Sequence, residues 1–253
     1  DTTFTLKGLT VTVPAKDTLT TDQQTIVKGL YSWWIEECMK LVEDSYGYSF
    51  ENDDATVNEI EVKFGRNDLL NSTTLAAVQY FYDSDTGITS KLNLYINTDD
   101  FFKNLSTTDS NGKASSTGIY LDRTLAHELT HAIMTAKIDY FYKLPIFIKE
   151  GIAELTHGID DFRKSAINSL VASPTTLQNA LNINNLTSGN VNSYAGGYMF
   201  LRYLAEQGAK SLQESEVLGD ETFEGSTNYS INAGGTYTLA ANYSGTITIN
   251  TTQ

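Results

Sequence analysis

The apolar residues change their spacing part-way along the chain, and that change restricts the possible folds more than any other property. Up to about residue 100 they mostly alternate or form short β-branched and aromatic runs, whereas from Leu121 to Gln207 they recur every three or four residues. A sheet-forming half followed by a helical half predicts an α+β fold. Phe4, Leu6, Leu9, Val11 and Val13 describe a half-buried strand with one slip near Gly8, ended by Pro14. From Asp22 to about Ser45, Ile26, Leu30, Trp33, Trp34, Cys38, Leu41 and Val42 predict one long amphipathic helix with both tryptophans in the core. Three more strands are expected at Val57 to Phe64, Leu75 to Tyr82 and Leu92 to Asn97, the last two joined as a hairpin by the solvated turn Asp83 to Gly87.

Helical spacing predicts a helix from Leu121 to about Lys137 and a second between Pro145 and Gly158, with proline inside the start and glycine past the end. Short helices are expected at Asp161 to Val171 and after Ser173-Pro174, and another at Tyr198 to Gln207, closed by Gly208. The picture is a long helix on a small mixed sheet, then a helical half, with the Leu121 helix in the cleft between them. Three segments follow: an α/β subdomain at 1–118, a helical subdomain at 119–217, and a β-rich tail or start of a further module at 218–253.

Seventeen Lys and Arg against 31 Asp and Glu leave a formal net charge of −14, which repels phosphate backbones and anionic lipid heads. Nucleic acid is therefore not an expected partner, and no apolar run is long enough for membrane insertion. The single cysteine, Cys38, excludes a disulfide framework and reads as an inert core thiol. Richness in Thr, Asn, Ser, Tyr and Gly resembles exported bacterial surface proteins, so a secreted or cell-surface location is expected. The absent leader and the strand-like sequence at Thr246 to Gln253 suggest a piece of something larger.

The chemistry is concentrated in His127-Glu128-Leu129-Thr130-His131, an H-E-x-x-H on the first helix of the second half. Histidines at i and i+4 lie about 40° apart on the helical wheel, so both imidazoles can reach one metal ion, Zn²⁺ being the usual one. Glu128 lies about 100° round from His127, where it can touch a water at the metal without ligating. With three histidines in the chain, chance would produce this pattern roughly once in 500 such sequences, so a random surface pair is the weaker explanation. A catalytic zinc takes three protein ligands and leaves a fourth position open. No third histidine stands at the metzincin spacing; His157 is too distant and reads as a helix-ending residue that favours the carbonyl dipole. Glu150 follows His131 after 18 residues, in Glu150-Gly151-Ile152-Ala153-Glu154.

H-E-x-x-H, 18 residues, then E-G-x-A-E resembles the gluzincin zinc metallopeptidases, with the interval of aminopeptidase N-type members. The resemblance covers roughly Leu121 to Gln207. It implies metal-assisted hydrolysis of a protein or peptide substrate, with His127, His131 and Glu150 as zinc ligands and Glu128 as general base. It makes Glu154 the residue that accepts a hydrogen bond from His127, the alternative being a surface carboxylate beside Lys149. Gly151 between the two glutamates would let helices approach closely. The family's Y-x-x-G tyrosine resembles Tyr194, which would then donate to the oxyanion, with Tyr198 or a purely structural role as alternatives. The G-x-M-E-N motif that anchors a free amine has no match between Leu92 and Leu121. An endopeptidase, holding its substrate along an edge strand at Leu92 to Asn97, is therefore expected rather than an aminopeptidase. The competing reading is a non-catalytic adhesion or binding module that retains a structural zinc.

Overall fold

The computed structural model describes residues 1–52, 54–66, 69–106, 111–214, 238–239 and 249–250. It is a mixed α/β structure and divides into two compact units, Asp1–Tyr142 and Lys143–Gln253. The Leu121 helix thus lies in the first unit, with the sheet, whereas the sequence boundary at residue 118 had grouped it with the later helices.

The first unit holds a five-stranded sheet of β1 (Thr2–Leu6), β2 (Leu9–Val13), β3 (Glu59–Phe64), β4 (Ala76–Tyr82) and β5 (Thr89–Ile96). Its order is β1-β2-β3-β5-β4. The expected single strand at residues 4–13 is a hairpin. Lys7 and Gly8 have φ of 50° and 75°, the paired left-handed conformation that suits a two-residue connection between twisted strands, and the slip in the alternation is that turn. β2 and β3 run parallel, β3 and β5 run parallel, and β4 returns antiparallel to β5. Across the sheet, Val11 stands beside Ile60, Ile60 beside Leu92, and Leu92 beside Tyr80. Leu9, Val11, Ile60, Val62, Leu92, Leu94 and Ile96 are all buried. The β4–β5 turn closes on itself: the Asp83 carboxylate accepts from the Asp85 and Thr86 amides at 2.9 Å each, which holds its pKa below the usual carboxylate range.

The long helix forms, with one interruption. α1 (Thr21–Gly29) opens on a reciprocal cap between Thr20 and Gln23, and α2 is Ile35–Tyr46. Between them Leu30–Trp34 is a π-helical turn. The widened turn shifts the register, so Trp34 is buried at 3% exposure while Trp33 is 41% exposed. Both tryptophans in the core was therefore wrong, since neighbours on a helix point about 100° apart. A Cβ on Gly29 would lie 2.3 Å from the Trp34 ring, so a hydrogen there makes room for the indole. Cys38 is buried, and desolvation pushes its thiol pKa far above the ordinary value, as expected of an unreactive core residue. α3 (Leu121–Lys137) packs on α2, β4 and β5.

The second unit contains α4 (Ile146–His157), α5 (Lys164–Ala172), α6 (Pro174–Ala180) and α7 (Val191–Glu214). Pro145 precedes α4, and Gly158 follows it at φ 72°. α7 starts seven residues earlier than the Tyr198 start expected. Asn190 caps it: its Oδ1 accepts from the Ser193 amide at 3.1 Å, while its own amide donates to Ser193 Oγ at 2.8 Å. α7 also continues through Gly208, where a Cβ would meet nothing within 4 Å among the described residues. Phe147, Ile159, Ile167, Leu170, Leu177, Met199 and Phe200 are among the buried core of this unit.

α4 and α7 cross at two glycines. A Cβ on Gly197 would meet the Phe147 carbonyl oxygen at 1.9 Å, and one on Gly151 would meet the Gly197 carbonyl carbon at 2.5 Å. Gly197→Ala is accordingly expected to lower the unfolding free energy by about 3 kcal/mol, because rigid backbone must move. Gly208→Ala, in the same helix with open space around it, should raise it by about 0.5 to 1 kcal/mol through helix propensity. Denaturant titration of both variants checks the pair; equal effects would contradict the close crossing.

Of the expected β tail, Thr238–Leu239 pairs antiparallel with Ile249–Asn250. The rest of residues 218–253 lies outside the described residues. Among the described residues no helix is long and apolar enough to cross a membrane.

Candidate metal centre

α3 carries a buried face of Leu125, Leu129, Ala132, Ile133 and Ala136, fixed by packing on the sheet and α2. That fit turns His127 and His131 to a half-buried face, one turn apart. Their Nε2 atoms lie 3.2 Å from each other and the rings meet edge to face, with centres 4.9 Å apart. The Phe141 ring centre is 6.4 Å from that of His131, and Tyr80 of β4 stands 6.0 Å from Phe141 in turn. An apolar aromatic wall on one side of His131 limits the directions its ring can take.

Glu128 is buried, and its Oε2 accepts a 2.8 Å hydrogen bond from the Val78 amide of β4. Val78 is a partner that residue spacing could not have identified. The contact also says which groups of β4 are free of β5. In an antiparallel pair a residue directs its N–H and C=O to the same side, alternating along the strand. Val78 therefore faces away from β5, and so does Tyr80. β4 is the edge of the sheet on this side, while β5 is paired on both sides. The expected edge at Leu92 to Asn97 was thus misplaced: most of that segment is β5, an interior strand, and the edge strand is its hairpin partner.

In the second unit, Glu150 and Glu154 are one turn apart on α4, Glu150 half-buried and Glu154 1% exposed. Glu154 is no surface carboxylate beside Lys149. Lys149 is itself buried and donates from Nζ to the Leu186 carbonyl oxygen at 2.8 Å; desolvation lowers its pKa, against the pull of Glu150. Glu154 instead receives a two-pronged contact from Arg163, Nε to Oε2 at 2.5 Å and Nη2 to Oε1 at 2.9 Å. His157 ends α4 as expected, with Nδ1 2.9 Å from the Gly158 carbonyl oxygen.

The two tyrosines of α7 differ sharply. Tyr198 is 1% exposed; its hydroxyl donates to Asp160 Oδ1 at 3.0 Å and accepts from Arg202 Nη1 at 2.5 Å. Burial raises its phenol pKa despite Arg202. That hydroxyl is already engaged on both sides, which favours a structural role. Tyr194 sits in the first turn of α7, its ring against Gly189, where a Cβ would come within 2.7 Å of Cε1. The Arg163 guanidinium carbon is 5.0 Å from the centre of the Tyr194 ring. Arg163 and Asp160 were not foreseen, since no periodic signal reaches across the turn at Gly158; Arg202, one turn from Tyr198 on α7, could have been found from helical spacing.

No family model matches the chain, and no curated protein is similar to it at a significant level.

Proposed function

We propose that this chain is a zinc-dependent endopeptidase, secreted or displayed at a bacterial cell surface. The observation that carries the reading is the convergence of His127 and His131 beside the buried carboxylate of Glu128. Two ligands about 2.05 Å from one tetrahedral zinc are about 3.3 Å apart, and the Nε2 atoms are 3.2 Å apart. Glu150 is the third ligand in this reading, supported by the 18-residue interval and by its half-buried place one turn before Glu154. Zinc held there would lower the pKa of a water molecule to about 7 and polarise the carbonyl to be cut. Glu128 takes the proton of the attacking water and returns it to the leaving amine. Val78 N–H holds that carboxylate in one orientation meanwhile. Tyr194 donates its phenol hydrogen to the developing oxyanion, since the Tyr198 hydroxyl is already shared between Asp160 and Arg202.

The substrate is an extended peptide that adds to the outer edge of β4, where the Val78 carbonyl oxygen faces away from β5 while the Val78 amide stays on Glu128. Main-chain pairing of this kind needs no free terminus. A peptide acetylated at one end and amidated at the other should be cut internally about as well as the free peptide, by protein that carries one zinc per chain. Mass spectrometry of the two digests, with metal analysis of the same sample, checks both halves of the proposal. Stepwise loss of amino-terminal residues, abolished by acetylation, would overturn the endopeptidase assignment; absence of bound metal would overturn the zinc site.

A further inference from the structure

We infer that Arg163 is a positioning residue that holds Glu154 and the Tyr194 ring together, so that the zinc-site support and the oxyanion donor are set by one guanidinium. The inference rests on the peptidase reading for the roles of Glu154 and Tyr194, but the clamp itself lies within the second unit. The chain leaves α4 through Gly158, buries Ile159 completely, and turns back so that Arg163 donates its amide to the Ile159 carbonyl oxygen at 2.8 Å. That turn aims the Arg163 side chain at the helix just left. Both oxygens of the nearly inaccessible Glu154 carboxylate accept from it, at 2.5 and 2.9 Å. A planar group held at two points has little rotational freedom left. The same guanidinium carbon lies 5.0 Å from the ring centres of Tyr194 and of Phe162, inside the range of cation–π attraction.

The chemistry explains why an arginine suits this place. Glu154 as a carboxylate is costly to bury without a charged partner, and Arg163 supplies one while leaving the face of its plane available to a ring. Lysine could neutralise Glu154 but has neither the fork nor the plane. Tyr194 has the Gly189 backbone against its ring as well, so its phenol has few alternative positions. Arg163 need not touch substrate to matter. Displacing an oxyanion donor by about 1 Å is enough to cost about 10²-fold in rate.

The test uses the full chain with Arg163→Met and Arg163→Lys, each also combined with Tyr194→Phe. In zinc-loaded protein, Arg163→Met should lower kcat about 10- to 100-fold with KM within about twofold, and Arg163→Lys should recover part of the loss. In the Tyr194→Phe background the same replacement should cost clearly less than in wild type, because only its effect through Glu154 remains. A second readout needs neither metal nor turnover. In metal-free protein with ¹³C-labelled tyrosine, the Tyr194 signal, identified by its loss in Tyr194→Phe, should shift in Arg163→Met and shift less in Arg163→Lys. An unmoved Tyr194 signal overturns the clamp, as does an equal kcat loss in both backgrounds or a kcat of Arg163→Met within twofold of wild type. Wild-type protein without zinc-dependent cleavage would overturn the functional reading instead, and with it the catalytic consequence of the clamp.

Discussion

Glu128→Gln is expected to keep its zinc and its fold while turnover falls about 10²- to 10⁴-fold, the usual contribution of a positioned general base. That loss corresponds to about 3 to 5 kcal/mol of transition-state stabilisation. The substitution is close to isosteric, which matters because Glu128 is buried and any change of volume would disturb α3 against the sheet. Glutamine can still accept from the Val78 amide through its own carbonyl oxygen, so the contact with β4 survives. What it cannot do is accept the proton of the attacking water. The thermal midpoint and the zinc content should therefore match wild type, and KM should move little, because glutamine keeps the Val78 contact and leaves the β4 edge as it is. Steady-state kinetics on a blocked peptide, with metal content determined on the same preparation, decides the matter. Turnover within tenfold of wild type would remove Glu128 as the base, and loss of metal would show that it is a ligand.

His131→Ala is expected to abolish stable zinc binding, with affinity lowered well beyond the 10- to 100-fold typical of residues that only support a ligand. His131 supplies one of two nitrogen donors 3.2 Å apart, and alanine offers none. Alanine is a better helix former than histidine, so α3 itself should not suffer. The defect should thus appear in metal affinity and not in secondary structure. The same behaviour is expected of His127→Ala and Glu150→Gln, whereas Glu154→Gln should fall in the smaller range, since the proposed reading does not place it among the ligands. Competition with a chromophoric chelator orders the four variants. Full affinity in His131→Ala would end the metal assignment, and full affinity in Glu150→Gln alone would require another third ligand.

The limits of α3 and the turn at Asp83 to Gly87 were legible because each depends on residues within about five positions of one another. The same holds for Pro145 and Gly158 around α4. The start of α7 is encoded locally in the pairing of Asn190 with Ser193, whereas the apolar spacing becomes regular only after Tyr198. Gly208 was misread as a stop. A glycine ends a helix only where the chain has reason to turn, and among the described residues nothing presses on it.

By itself the sequence determined the α+β class, most strands and helices to within a few residues, α7 and the first hairpin excepted, and the pair His127 and His131 with Glu128 between them. These follow from repeats of two and of three to four residues, which act through neighbours on one strand or one helix. Tertiary structure alone decided that Trp34 and not Trp33 enters the core, that β4 and not β5 is the free edge, and that Arg163 holds Glu154. It also decided that Tyr198 donates to Asp160. Each of these turns on a partner nine or more residues away, or on a backbone register set by packing, and no local spacing encodes which distant group will fill a given place.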